Sequence, residues 1–310
     1  MYMIDTWSST GVRLPKLMPH LEDLPLPISE TAFLSARRDN DWDMTYGDAP
    51  SASEPSLLAQ MIMLNYILVE INSLNSLTAN NPGVIFEDRI RELSQRLDDW
   101  YEQLPFEMRD NQENLLYWAS KGLGRIFVAV YLGYYHFGQL LFYQFLHEDC
   151  HDNLSSAHSY AVQCKAHSTA LCDILYRSHS TPNCDVLYTM VGHVTCIASS
   201  VQIHILVFDG DDEQVTLART RLERNFEILT KLRAYWPTLE ASFSRLRAFH
   251  KACQKSVSTS FRLDQWMLGF LTEFAKPMDE RDGEREERRP EPEWLVDNLG
   301  ISPQSSNGMV

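Results

Sequence analysis

The sharpest chemical pattern in the chain is His147-Glu148-Asp149-Cys150-His151. Two histidines one helical turn apart with a glutamate between them satisfy H-E-x-x-H, in which the imidazoles ligate zinc and the carboxylate acts as base. Zinc needs a third protein ligand, and the extended motif puts glycine and histidine where this chain has Leu154 and Ala157, with His158 one position out. The motif also falls at the end of an aromatic helical stretch, where histidines meet the negative end of the helix dipole. A structural pair of histidines is therefore expected, with zinc hydrolysis as the remote alternative. No catalytic residue, metal ligand or cofactor is expected in this chain.

His193, Ile197, Ser200 and His204 form a second group, spaced to share one face of a helix. Two imidazoles and a hydroxyl on one face suit a small-molecule effector pocket, although such groups more often bond to neighbouring carbonyls and hydroxyls inside a large core. The other motifs are weaker. Gly122-Leu123-Gly124 lacks a preceding strand and the third glycine of a nucleotide loop, and no nucleophile elbow surrounds any serine.

Both groups need long helices to hold them. The segment carrying His193 contains no Asp, Glu, Lys or Arg between Asp185 and Asp209, which is long enough to cross a bilayer. Thr195, Ser199, Ser200 and Gln202 interrupt it, and the acidic flanks give no positive-inside bias. It reads as the buried helix of a bundle, with no membrane involved.

Elsewhere apolar residues recur every three or four positions and strand signals are weak, so the fold class is all-α, a large irregular helical bundle of about seven helices. After a short helical piece from Met1 to Ser9, Pro15, Pro19, Pro25 and Pro27 impose a loop. Pro55 opens a long helix in its first turn, and Asn80-Asn81-Pro82-Gly83 ends it. Ile90, Leu93, Leu97 and Trp100 mark an amphipathic helix stopping at Pro105. One long bent helix is expected from Asn114 to His147, then helices over Ser156–Arg177, Cys184–Phe208, Asp212–Tyr235 and Leu239–Phe274. The chain divides into 1–38 (a helix end and Pro-rich loop), 39–54 (an acidic linker), 55–275 (the helical domain) and 276–310 (a charged, solvated tail).

With 42 acidic against 27 basic residues, the net charge of −15 repels a DNA polyanion. Six scattered cysteines form neither a zinc module nor a disulfide framework, and Met1-Tyr2-Met3-Ile4-Asp5 opens no signal peptide. A reducing, intracellular compartment is the expectation.

The order of five segments resembles the middle homology region of fungal Zn2Cys6 (binuclear zinc-cluster) transcription factors. MYMIDTWSSTGVRLPKLMPHLEDLPLPISETAF is similar to its opening helix and proline loop, closing at Leu26-Pro27, Glu30 and Phe33. RLDDWYEQLP (Arg96 to Pro105) resembles its tryptophan-bearing helix end, and YLGYYHFGQLLFYQFLHED (Tyr131 to Asp149) its aromatic helix, with Glu148-Asp149 where the family often has Arg-Pro. ARTRLERNFEILTKLRAYWPTLEASFSRLRAFHKAC (Ala218 to Cys253) is similar to its late helix pair, with Leu222, Leu229, Leu232, Trp236-Pro237 and His250 in place, and WMLGFLTEF (Trp266 to Phe274) fits its close.

The resemblance implies a nuclear transcription regulator, the effector- or partner-responsive region of such a factor. Its partners would be co-regulators or an intramolecular activation segment, with a small-molecule effector on His193, Ile197, Ser200 and His204. The family's six-cysteine zinc cluster does not occur here, so zinc and DNA would be bound only by an absent N-terminal module and no residue of this chain contacts DNA. A start inside the family's opening helix reads as truncation, which would expose apolar surface and favour self-association. A stand-alone helical ligand-binding or protein-interaction module is the alternative.

Overall fold

Capping groups decide where the helices of this chain begin and end. The computed structural model describes residues 1–18, 25–36, 55–147, 156–208, 212–276 and 278–281. Its α-helices are α1 (Tyr2–Val12), α2 (Glu30–Ala36), α3 (Leu57–Asn80), α4 (Glu87–Glu102), α5 (Gln112–Ser120), α6 (Gly124–Phe142), α7 (Ala157–Ser180), α8 (Met190–Phe208), α9 (Asp212–Tyr235), α10 (Glu240–Lys255), α11 (Val257–Ser260) and α12 (Gln265–Thr272). Short 3-10 turns lie at Phe106–Met108, Tyr143–Leu146 and Pro237–Leu239, and no strand occurs among the described residues. The all-α bundle is as expected, with more helices than seven.

The extra helices come from breaks that periodicity does not register. The stretch from Asn114 to His147 is not one bent helix. Gly122 takes φ 75°, its N–H donates to Ala119 O (3.0 Å), and Leu123 N–H donates to Trp118 O (2.8 Å), which is a Schellman stop. Only a residue without Cβ enters that conformation cheaply, so α5 ends there and α6 starts afresh. The stretch from Leu239 to Phe274 divides likewise, because the Ser256 and Asp264 side chains accept from Thr259 N and Met267 N and cap α11 and α12. Cys184 to Thr189 is not helical, since Pro182 and Asn183 (φ 64°) end the preceding turn.

Pro55 lies before the helix rather than in its first turn: Ser56 is the N-cap of α3. Glu30 completes that cap from α2, accepting from Ser56 Oγ (3.0 Å), Leu57 N (3.1 Å) and Leu58 N (2.7 Å). A carboxylate on exposed helix N–H groups also complements the helix dipole. Residues around Glu30 are thereby tied to the helical domain. The acidic linker expected over 39–54 lies outside the described residues, as does the tail beyond Arg281. The tail's first residues pack back: Trp266 Nε1 donates to Asp279 O (2.9 Å), and Lys251 Nζ reaches Glu280 (2.6 Å).

α6 and α8 form the centre of the bundle, with Phe127, Tyr131, Phe137 and Phe142 almost wholly buried on α6 and every residue from Val191 to Ile205 buried on α8. By length and composition α3, α8 and the Gly124–Leu146 stretch could each cross a membrane. In the bundle, 83% of the apolar window is buried in each of the latter two, against 44% for α3. Several polar groups of α8 find partners on its neighbours, while Thr195 Oγ1 and Gln202 Oε1 are buried without one. Gln202 Nε2 donates to Ser168 Oγ (2.9 Å), Ser168 Oγ to Ala198 O (3.0 Å), and Asn225 Nδ2 to Ser199 Oγ (3.1 Å). Buried polar groups require such satisfaction, which lipid tails do not offer.

Candidate functional site: a histidine chamber beneath the first helix

The four residues expected to share a pocket are all buried but do not converge. Eleven residues of helical rise separate His193 from His204 by about 16 Å. At the His204 end the core is filled. His204 Nε2 lies 2.9 Å from Leu146 O, its ring meets Phe208 and Phe261, and Ser200 Oγ donates to Ile197 O (2.7 Å) while facing the Tyr143 hydroxyl (2.9 Å).

His193 instead faces a small chamber between α1, α3, α6 and the end of α12, lined by Trp7, Thr10, Asn72, His136, Thr272 and Phe274 among others. About 10 Å³ is open in it, which admits one water molecule. The His136 and His193 rings meet edge to face at 5.3 Å, Trp7 stacks on His136 at 5.9 Å, and Phe274 closes on His193 at 5.1 Å. Nδ1 of both histidines and Oδ1 of Asn72 are buried without a hydrogen-bond partner. Burial lowers the His136 pKa to about 3. Burial also holds His193 well below its ordinary value, with smaller contributions from His136 and Arg245, while a hydrogen bond to the Leu271 backbone opposes them. Both rings are thus neutral, and with Nδ1 unpartnered the Leu271 bond falls to the other ring nitrogen of His193. An imidazole of such low basicity is a poor proton acceptor at neutral pH, so the chemistry the chamber offers is hydrogen bonding.

Thr10, Asn72 and Thr272 also line an outer cleft of about 440 Å³, open to solvent between α1, α3 and α12. They form the partition between cleft and chamber. Helix α1 is a shared wall of both, held at its C-terminal end: Ala275 N donates to Gly11 O (3.1 Å), Arg13 pairs with Glu273 (3.1 Å), and Arg13 itself sits at φ 57° as the left-handed cap of the helix. A Cβ on Gly11 would come within 2.4 Å of the Phe274 ring. Gly11→Ala gains helix propensity of about 1 kcal/mol but overpacks this contact by about 1–3 kcal/mol. The expected outcome is selective loosening of α1, read as faster hydrogen exchange of residues 5–12 with unchanged protection in α6 and α8. Unaltered exchange in α1 would contradict this wall's dependence on Gly11.

His147 is buried just after the Tyr143–Leu146 turn, whereas Glu148, Cys150 and His151 lie outside the described residues. Among the described residues no group of three or more His, Cys, Asp or Glu is placed to hold a metal ion. Burial pushes the Cys172 thiol up to about 11 and Cys196 and Cys253 up to about 12, so these thiols are protonated and unreactive at neutral pH.

His136, Asn72, Trp7 and Thr10 were not legible as site residues. They come from three helices, and no local spacing links them. An isolated histidine in the aromatic run Tyr131 to Phe142 was the one available signal. No protein-family model matches the chain, and neither curated proteins nor solved structures supply a match. Fold and site together define an all-α bundle with a small, largely apolar chamber, lined by two histidines, beneath its first helix.

Proposed function

We propose that the chain is the effector- or partner-responsive regulatory region of a transcription factor of the fungal binuclear zinc-cluster type. Five segments in the family's order support the family, and the chamber supports the responsive part. Regulation requires two states whose balance a ligand or partner shifts by differential affinity. A chamber with unpartnered polar atoms beneath one peripheral helix suits such a pair, because this state leaves groups that an incoming molecule could satisfy. DNA and zinc would be bound by a module carried elsewhere, in the nucleus. Met1, Ile4, Leu14, Leu17, Phe33 and Leu34 are each at least 50% exposed, and this apolar surface suits a co-regulator, an activation segment or a second copy of the chain.

The test is a reporter fusion in which the chain separates a heterologous DNA-binding domain from an activation segment. The chain is expected to hold the activation segment in check, and Trp7→Ala, which unseats α1, to release it at least severalfold. Output equal to that of an inert helical spacer of the same length, in wild type and variant alike, would sink the proposal.

A stand-alone ligand-binding protein is the second reading, favoured by the outer cleft, which is within the usual volume range for small-molecule sites. It shares the ligand and lacks the reporter response. Zinc hydrolysis through His147 would require stoichiometric zinc that is lost in both His147→Ala and His151→Ala.

A further inference from the structure

We propose that the outer cleft binds a small hydroxylated organic acid, a sugar acid or hydroxycarboxylate, with its carboxylate on Lys16 and Arg13 and its hydroxyls along α1 and α3. This deepens the effector-responsive reading and rests on it for its biological meaning.

Charge is the first argument. In a chain of net charge −15, the two charged residues lining the cleft are Arg13 and Lys16, and no carboxylate is among its described lining residues. Glu273, which pairs with Arg13, is shared with Lys276 (3.2 Å). Asp5, the acid nearest Lys16, already accepts from Leu17 N (3.2 Å) and Met18 N (2.9 Å). Lys16 Nζ sits 3.2 Å over the Tyr2 ring, where burial lowers its pKa more than Asp5 raises it. An anion at that point restores what burial removes.

The hydroxyls narrow the class. Thr6 Oγ1 donates to Tyr2 O (3.0 Å), Ser9 Oγ to Asp5 O (2.6 Å), Thr10 Oγ1 to Thr6 O (2.8 Å) and Thr272 Oγ1 to Leu268 O (2.7 Å). Their protons are committed to their own helices, so what they turn toward a ligand is lone pairs. A sulfate has only acceptors to offer them, and a phosphate at neutral pH has more acceptor oxygens than O–H donors. A fatty acid would find Leu14, Val69 and Leu268 for its tail but would leave the hydroxyl lone pairs unmet. A molecule bearing both a carboxylate and hydroxyl donors satisfies both walls. Behind the partition, Nδ1 of His136 and of His193 are unpartnered and more than nine-tenths buried. With its other nitrogen on the Leu271 backbone, His193 presents Nδ1 as an acceptor, which extends the same demand for an O–H donor inward, to be met by a ligand hydroxyl when α1 moves or by one water when it does not.

Calorimetric titration of the full chain with D-gluconate, D-glucuronate and citrate tests this, beside D-glucose (hydroxyls without charge), octanoate (charge without hydroxyls) and inorganic phosphate. At least one acid is expected to saturate with Kd below about 1 mM, and each control to bind at least tenfold more weakly. Lys16→Gln should weaken that acid at least tenfold. Ser73→Leu, which fills the cleft from the exposed side of α3, should abolish binding with the melting temperature preserved. Three outcomes overturn the inference: no saturable binding of any acid, a control that binds equally well, or affinity unchanged in both variants. A reporter fusion that responds while no acid binds overturns it too and leaves the regulatory reading standing, whereas an acid that binds while the fusion stays inert does the reverse.

Discussion

Lowering the pH from 7 to 5 is expected to remove about 2 kcal/mol of stability through His136, with a further loss of the same sign through His193. An unfolded histidine titrates near 6.5. Burial depresses the folded pKa of His136 to about 3, and that of His193 lies well below its ordinary value for the same reason, aided by His136 and Arg245. Between pH 6.5 and about 4 the unfolded chain therefore binds protons that the folded chain refuses. The stabilising contribution is fully present above pH 6.5 and is lost as pH falls, by about 2 kcal/mol for His136 at pH 5, with His193 changing in the same direction. His167, whose pKa burial lowers to about 4, keeps some solvent contact and adds a smaller share in the same direction.

A domain of ordinary stability has about 5–15 kcal/mol to lose, so these rings remove a sizeable share of the stability by pH 5 and leave the bundle folded. Urea denaturation at pH 7, 6 and 5 measures the slope, and His136→Gln should reduce it by about one proton. Stability independent of pH over this range would mean that the chamber is wetter than its geometry implies. The same protonation opens the site. A charged imidazole cannot stay beneath Trp7 and Phe274 without a counter-ion, so α1 is expected to exchange faster in acid before the bundle unfolds.

Arg245→Met is expected to cost about 3–5 kcal/mol, the range for breaking a buried ionic or charge-assisted cluster by removing one partner. Arg245 is 2% exposed at the heart of α10. Its guanidinium donates to Glu273 O (2.9 Å), Gly269 O (2.8 Å) and Phe270 O and lies 5.4 Å from the centre of the Phe270 ring. These carbonyls belong to the end of α12, where the helix leaves acceptors unsatisfied and its dipole is negative. Methionine fills the volume but leaves the carbonyls buried without donors. Arg245→Lys should recover only part of the loss, because an ammonium lacks the planar fork that reaches several acceptors at once.

A lower urea midpoint at unchanged slope, with protection lost first across Gln265–Thr272, is the expected signature. A change under about 1 kcal/mol would show that water replaces the guanidinium without difficulty. Loss of α12 also removes Leu271 and Thr272 from the chamber wall, and loss of the arginine charge lets the His193 pKa rise. The acid slope of Arg245→Met is consequently expected to be shallower than that of the wild type.

Much of the architecture is local, and to that extent the sequence alone determines it. Ile90, Leu93, Leu97 and Trp100 recur with helical spacing and all four are buried on α4, because a single amphipathic face needs no knowledge of its partner. The uncharged run before Asp209 folds as an interior helix, with Gln202 and the Ala198 carbonyl bonded to Ser168 of α7 and Ser199 to Asn225 of α9. Trp236-Pro237 ends α9, and the Trp236 indole donates to Leu187 O (2.5 Å). Helix ends were less legible. Gly122 stops α5 where a glycine in an aromatic run reads equally well as a kink, and Asp264 caps a helix that apolar periodicity carries straight through.

The site was decided by tertiary structure. His193 and His204 share a face, yet one looks into a chamber and the other into packed aromatic rings. Helical periodicity reports which side of a helix is buried and is silent on what buries it at each level. His136 meets His193 only because α6 packs on α8, and Trp7 covers them only because α1 crosses α3 and the end of α12, a crossing held by Gly11 against Phe274 and by Arg13 on Glu273. The same holds for Glu30 at the start of α3 and Arg245 at the end of α12. A charge at a helix terminus is stabilised by groups far away in the chain, so its role follows from which helix end the fold brings within reach.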